Sequence, residues 1–271
     1  MKNLNQTEQN TSFLQNLREL INQQNPEQQW IVDNLLFMTV SGSRLYGTNS
    51  ENSDYDVRGV VLPPKDYWVG ARSFEQFVCK MPAHDLDFCI YDFRKWLNLT
   101  VAVNPNVVEL LYVNKDNPNV CFWSDDWDKI RKETKKLINQ RAYIGFHGYS
   151  TSQMKKMSIK QANKTGRQYI AQAMGFDTKF VSHAFRLIHQ GEELMLKNNM
   201  TFPRPEAQLL KDIRNGMKYN QNQQMKCLAD WEEEQKRLEI AKENTCLPEK
   251  ADFNLYNNLL ISTFDNLVNR I

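Results

Sequence analysis

The chain is predicted to be an α+β protein, with a sheet-containing head over residues 1–118 and an α-helical domain over residues 119–271. Three observations support this. Apolar runs of strand length, bounded by turn residues, fill the first third of the chain. At Phe93 the hydrophobic period lengthens from that of a strand to that of a helix. After about residue 120 strand signals fade, and helical spacing continues to the end.

Leu14 to Ile21 reads as a short amphipathic helix, broken by the polar stretch from Gln23 to Gln29 that holds Pro26. Leu35 to Val40 is a continuous apolar run suited to a buried strand, and it ends at Ser41-Gly42-Ser43. Asp54 to Leu62 reads as a second strand stopped by Pro63-Pro64, Phe74 to Lys80 as a third and Asp85 to Tyr91 as a fourth. Phe93, Trp96, Leu97 and Val101 then follow helical spacing until Asn104-Pro105, and Val107 to Leu111 forms another short helix. Helices are expected at Trp127–Ile138, Tyr143–Met157, Phe180–Leu196, Glu206–Ile213 and Leu228–Ile240. The last, Phe253–Ile271, carries an apolar stripe that is expected to pack back on the body.

Of the 271 residues, 41% are hydrophobic and 24% charged, which excludes a disordered chain and suits a globular one. Thirty-four basic against 32 acidic residues leave a formal charge of +2, too small to coat nucleic acid broadly, so any basic surface must be local. The N-terminal segment lacks an apolar signal core, and no run reaches the roughly 20 apolar residues of a membrane span. A cytoplasmic location with no membrane partner is therefore expected. Five scattered cysteines without a C-x-x-C pair read as reduced thiols, and the four histidines lack zinc-helix spacing.

The segment from Gly42 to Val57 carries the chemistry. Asp54 and Asp56 stand two residues apart in an extended stretch, so both carboxylates point to one face. Paired anions with hard oxygen donors suit Mg²⁺, which commonly also takes substrate phosphates as ligands. The Gly42-Ser43 turn can bring bare backbone N–H groups and a hydroxyl to the same phosphates, and Arg44 beside it can reach one. A third acid from a neighbouring strand would complete a two-metal site. Asp85 and Asp87 share one face of the fourth strand; Asp87, deeper in the apolar run, is favoured, with Asp85 as the substitute.

In the helical half, Lys179, His183, Arg186, Gln190 and Glu193 make one stripe. Lys179 falls in the first turn of its helix, where the dipole disfavours a cation, and a polyphosphate lying there would account for it. Glu109, an acid in an apolar helix, is read as a structural lock for a basic partner. Lys155, Lys156, Lys160, Lys164 and Arg167, with Tyr169 nearby, form a basic stretch read as a solvated helix face, with tracking of a nucleic-acid backbone as the alternative.

Gly42-Ser43, ten intervening residues and Asp54-Tyr55-Asp56-Val57 resemble the signature of the DNA polymerase beta-like nucleotidyltransferase superfamily. Further segments, GSRLYGTNSENSDYDVRG from Gly42, NPNVVELL from Asn104, GFDTKFVSHAFRLIHQGEEL from Gly175, IRNG from Ile213 and Leu247-Pro248-Glu249, resemble the branch linked to RNA-repair gene clusters and found in many phages. For a phage-encoded chain the location would be the host cytoplasm. The resemblance implies a small mixed-sheet catalytic head, two Mg²⁺ ions (with Mn²⁺ as the alternative), a nucleoside triphosphate such as ATP as donor, and release of pyrophosphate. By position, Asp54 and Asp56 would bind the metals, Asp87 would complete the triad, and Gly42 with Ser43 would hold the donor phosphates. Lys179, His183 and Arg186 would contact the triphosphate. Ser41 departs from the pattern, since many relatives have an apolar residue before the glycine. The acceptor expected from family association is an RNA or tRNA 3′ end. Nucleotidylation of a protein or small molecule, and a non-catalytic module binding a nucleotide or RNA end, are the alternatives. Base preference and oligomeric state have no sequence signal.

Overall fold

The computed structural model describes residues 6–81, 85–157 and 172–268. The chain is α+β, as expected. In order, it comprises α1 (Gln6–Gln24), α2 (Trp30–Asp33), β1 (Leu35–Val40), α3 (Gly42–Tyr46), β2 (Tyr55–Val61), α4 (Lys65–Trp68), β3 (Gln76–Met81) and β4 (Leu86–Asp92). Next come α5 (Phe93–Val101), α6 (Pro105–Val108), a 3₁₀ turn (Glu109–Tyr112) and β5 (Val120–Trp123). The remainder is helical, with α7 (Asp125–Lys135), α8 (Arg141–Lys156), α9 (Thr178–Lys197), α10 (Ala207–Arg214), α11 (Gln224–Glu243) and α12 (Phe253–Val268). No helix among the described residues is long and apolar enough to cross a membrane.

The five strands run in the order β3-β4-β2-β1-β5. β2 lies parallel to β4 and antiparallel to β1, so the sheet is mixed. One face buries Met38, Val57, Val61, Phe88 and Ile90 against Leu17, Leu20 and Ile21 of α1. Phe37 and Val60 project from the other into a larger core with Trp96, Trp127 and Leu187. Phe37 stacks on Trp127 with ring centroids 4.8 Å apart. A third cluster, including Phe176, Phe185, Leu210 and Cys227, fills the helical half. All five cysteines are free thiols.

Two local expectations need correction. Strand signals do not end with β4: Val120–Trp123, past the 118 boundary expected for the head, pairs antiparallel with β1. All four of its residues are half-buried, so it shows neither the alternation of a one-sided strand nor the apolar run of a buried one. The Gly42-Ser43 turn is the opening of a helical turn, α3, entered through Gly42 at φ +61.

Candidate functional site

A cleft of about 380 Å³ opens between the end of β1, the start of β2 and the first half of α9. Strand β2 presents its acids there because Asp54, Asp56 and Arg58 alternate with Tyr55 and Val57, and Val57 is drawn into the core on the opposite face. Asp54 is exposed and Asp56 half-buried, and both line the cleft.

Asp87 is the register partner of Asp56 across the parallel β2–β4 pair, so their side chains leave the sheet on one face. Its carboxylate turns to Lys80 on β3, with Nζ 3.0 Å from Oδ2, and it stands beside the cleft outside the lining. Asp85 occupies the turn before β4 at φ +50, exposed, with its carbonyl accepting from the Tyr55 N–H at 2.7 Å.

Burial raises the pKa of the Asp56 carboxyl; Arg58 opposes the shift, while Asp54 and Asp87 add to it. Arg58 lies 3.5 Å from Asp56. Negative charge is thus concentrated at the head of β2 and β4, on oxygen donors of the kind that hold Mg²⁺ or Mn²⁺. Among the described residues no three acidic, histidine or cysteine side chains already converge into a cage for a metal. Asp54, Asp56 and Asp87 suit such an ion by chemistry and register, with Lys80 having to release Asp87.

Gly42 cannot be replaced without moving this group. Its φ of +61 is left-handed, and a Cβ there would collide with Asp56 Oδ2. Glycine therefore lets the start of α3 and the Asp56 carboxylate lie against each other, and Ser43 follows on the cleft wall. Arg44 is placed elsewhere. Its guanidinium donates to the carbonyls of Ser53 (2.6 Å) and Asp54 (3.3 Å) and covers the Tyr55 ring at 3.6 Å, so it braces the loop that carries Asp54.

Beneath α3 lies a buried polar hub. Glu109 accepts hydrogen bonds from Ser41 Oγ at 2.7 Å and from the Tyr46 hydroxyl at 2.7 Å, and pairs with Arg186 at 3.8 Å. Arg186 covers the Tyr46 ring at 4.0 Å and donates to Gln190. Burial raises the Glu109 pKa, with Arg186, Ser41, Tyr46 and Gln190 pulling the other way. The locking role read for Glu109 thus has a defined partner. The hydroxyl of Ser41, the residue at odds with the family pattern, is what joins the turn to the hub.

Lys179, His183 and Arg186 all line the cleft. Asp177 caps α9 by accepting from the Lys179 N–H at 3.0 Å. His183 Nε2 is buried without a hydrogen-bond partner among the described residues, and the imidazole is held neutral, its pKa well below the usual range through burial, then Arg186, Lys179 and Lys156. The rest of the stripe is structural, since Gln190 serves Arg186 and Glu193 turns to Arg204 at 2.6 Å. Lys155 and Lys156 end α8, exposed; Lys160, Lys164, Arg167 and Tyr169 lie outside the described residues.

The cleft also contains residues not singled out from the sequence, among them Arg58, Tyr91, Asn106, Ser182 and Arg214. Arg58 continues the parity of Asp54 and Asp56. Asn106 and Arg214 sit inside the NPNVVELL and IRNG segments, where a signal was present but no role had been attached.

Residues 9–262 match the model of the RNA repair pathway DNA polymerase beta family, RlaP. A stretch of 78 residues is 37% identical to the uncharacterized protein YcgL of Bacillus subtilis strain 168, covering 28% of this chain and 30% of that relative's length. Among solved structures, a nucleotidyltransferase-like protein from Exiguobacterium sibiricum 255-15 aligns over 92% of this chain and 80% of its own, at 10% identity and a TM-score of 0.29. That likeness is too loose to transfer any residue role.

Proposed function

Because the chain belongs to the RNA repair pathway DNA polymerase beta family, we propose that it is a divalent-metal-dependent nucleotidyltransferase that moves a nucleoside monophosphate from a triphosphate such as ATP to an acceptor hydroxyl at an RNA 3′ end, releasing pyrophosphate. The observation that supports this reading is the shared face of β2 and β4, where Asp56 lies directly against Gly42, Asp87 is its register partner and Asp54 stands two residues before it. A bound pair of Mg²⁺ ions would supply Lewis acidity at the reacting oxygens and counter-charge for the phosphates.

The chain's own residues do the rest. Asp54 and Asp56 hold ligand oxygens toward the cleft, and Asp87 stands next to Asp56 as the third ligand or as the base for the acceptor hydroxyl. Gly42 and Ser43 present the opening amides of α3 to donor phosphates, at a helix start whose N–H groups lack intrahelical partners. Lys179 and Arg186 add positive charge from α9, and neutral His183 can donate a hydrogen bond without repelling those cations. Burial of Arg186 strengthens its field at the cleft.

Pyrophosphate release from labelled triphosphates, in the presence of MgCl₂ and a panel of RNA, protein and small-molecule acceptors, tests the reaction. Asp54→Asn and Asp56→Asn should abolish transfer while leaving the far-ultraviolet circular dichroism unchanged. Undiminished transfer by either variant would refute the assignment.

A further inference from the structure

We propose that a groove beside the cleft, between Asn104–Asn106 and the outer face of α8, receives the nucleotide preceding the 3′-hydroxyl of an RNA acceptor. This rests on the nucleotidyltransferase reading and specifies where its second substrate lies. The groove, about 260 Å³, is lined by Pro105, Asn106, Ile144, Gly145, Gly148 and Tyr149.

It adjoins the cleft. Asn106 belongs to both walls, and its Nδ2 donates to the Tyr149 hydroxyl at 3.0 Å. The Tyr149 ring meets His183 edge-on at 5.7 Å, and His183, with its buried unpartnered Nε2, lines the cleft on the other side. Tyr91, on the same strand as Asp87, also lines the cleft, so the groove borders a space bounded by the strand of the proposed third acid.

Two glycines of α8 distinguish packing from function. Gly145 has a packing reason, because a Cβ there would come 2.6 Å from the Val103 carbonyl. Gly148 has none among the described residues, where nothing lies within 4 Å of the Cβ position. A glycine inside a helix destabilises it relative to alanine, and an unobstructed one fits a surface that another molecule's backbone approaches closely.

The occupant is a polynucleotide by the chemistry of the surroundings. Tyr149 and Ile144, the latter 72% exposed, offer a ring and an apolar surface for a base. Lys155 and Lys156 stand exposed at the end of the same helix, and Lys179 and Arg186 line the adjoining cleft, so cations border the path a phosphate backbone would take.

The test uses the full chain and a fluorescein-labelled single-stranded RNA of roughly 12 nucleotides with a free 3′-hydroxyl, read by anisotropy. Donor binding is read separately, as the shift in Tm produced by ATP with MgCl₂. Gly148→Leu should weaken RNA binding about tenfold or more and leave the ATP shift intact. Ile144→Glu and Ile144→Lys, both at an exposed position, should move RNA affinity in opposite directions, by about threefold each. They decide the matter even if Gly148→Leu fails to fold. RNA affinity indifferent to these changes, loss of the ATP shift in a Gly148→Leu protein whose far-ultraviolet circular dichroism matches the wild type, or label passing from triphosphate to protein with no RNA bound would each overturn the groove assignment. A wild-type protein whose Tm is shifted by none of the four nucleoside triphosphates with MgCl₂ would instead sink the nucleotidyltransferase reading itself.

Discussion

Removing the charge of Glu109 while keeping its shape should unfasten the site from below. Glu109→Gln retains an acceptor for the hydroxyls of Ser41 and Tyr46, which donate at 2.7 Å each, but leaves Arg186 without its counter-charge at 3.8 Å. Arg186 is only 4% exposed, and a buried charge stripped of its partner costs about 3–5 kcal/mol. For a domain whose total stability is about 5–15 kcal/mol, that is a large fraction. With a urea m-value of about 3 kcal/mol/M, the unfolding midpoint should fall by about 1.0–1.7 M at constant m. Glu109→Gln/Arg186→Met, which removes both charges and keeps volume, should recover at least half of the loss, because replacing a whole buried pair is far milder than breaking it. Equilibrium urea unfolding of the wild type, both single variants and the double variant closes the cycle. A cost below about 1 kcal/mol for Glu109→Gln, or a double variant no more stable than the single, would show that the pair does not lock the hub.

Gly42→Ala should cost about 1–2 kcal/mol for its left-handed backbone alone, and the collision with Asp56 should reduce turnover about 100-fold or more; near-normal turnover would deny the close approach. Lys179→Ala should raise the donor KM about tenfold with modest change in kcat, measured against triphosphate concentration; an unchanged KM would remove Lys179 from the donor site. Burial pushes the Asp92 carboxyl up to about 6 from an ordinary 3.8, even though it caps α5 by accepting from the Lys95 N–H. With the folded pKa raised, the native state binds more protons than the unfolded chain between those values, so this group's contribution falls as pH rises from about 4 to 6 and is lowest above. Asp92→Asn keeps a cap and removes the charge; relative to wild type it should gain about 3 kcal/mol at pH 7 and almost nothing at pH 4. Equal differences at both pH values in chemical unfolding would contradict this.

Much of the fold was legible because its elements are long or strictly patterned. The apolar run at Leu35–Val40 and the parity of Asp54 and Asp56, opposite in face to buried Val57, each have one structural solution, as do the helical stripes of α5 and α9. β5 escaped notice because four half-buried residues carry no period. The site was legible where chemistry and backbone geometry coincide in sequence, as at Gly42 and the acids. Arg44 looked like a phosphate ligand by proximity, yet a cation beside a loop also satisfies loop carbonyls, and only the folded path of residues 53–55 shows which it does. Arg58, Tyr91 and Arg214 come to one cleft from two strands and a helix far apart in sequence, and although Arg58 and Arg214 lie in patterned segments, no local pattern announces their convergence. Register sets Asp87 beside Asp56, and pairing partners are a property of two strands at once.

The short strand Val120–Trp123 also bears on how the protein can be divided. It covers the outer edge of β1, and Asn119 next to it accepts from the Val40 N–H at 2.8 Å and from the Thr39 hydroxyl at 3.0 Å. A fragment ended at Pro118 would bare the unpaired amides and carbonyls of a strand whose side chains are almost all apolar, the kind of surface that recruits other chains. Such a fragment should self-associate, whereas one carried through Trp123 keeps its border sealed.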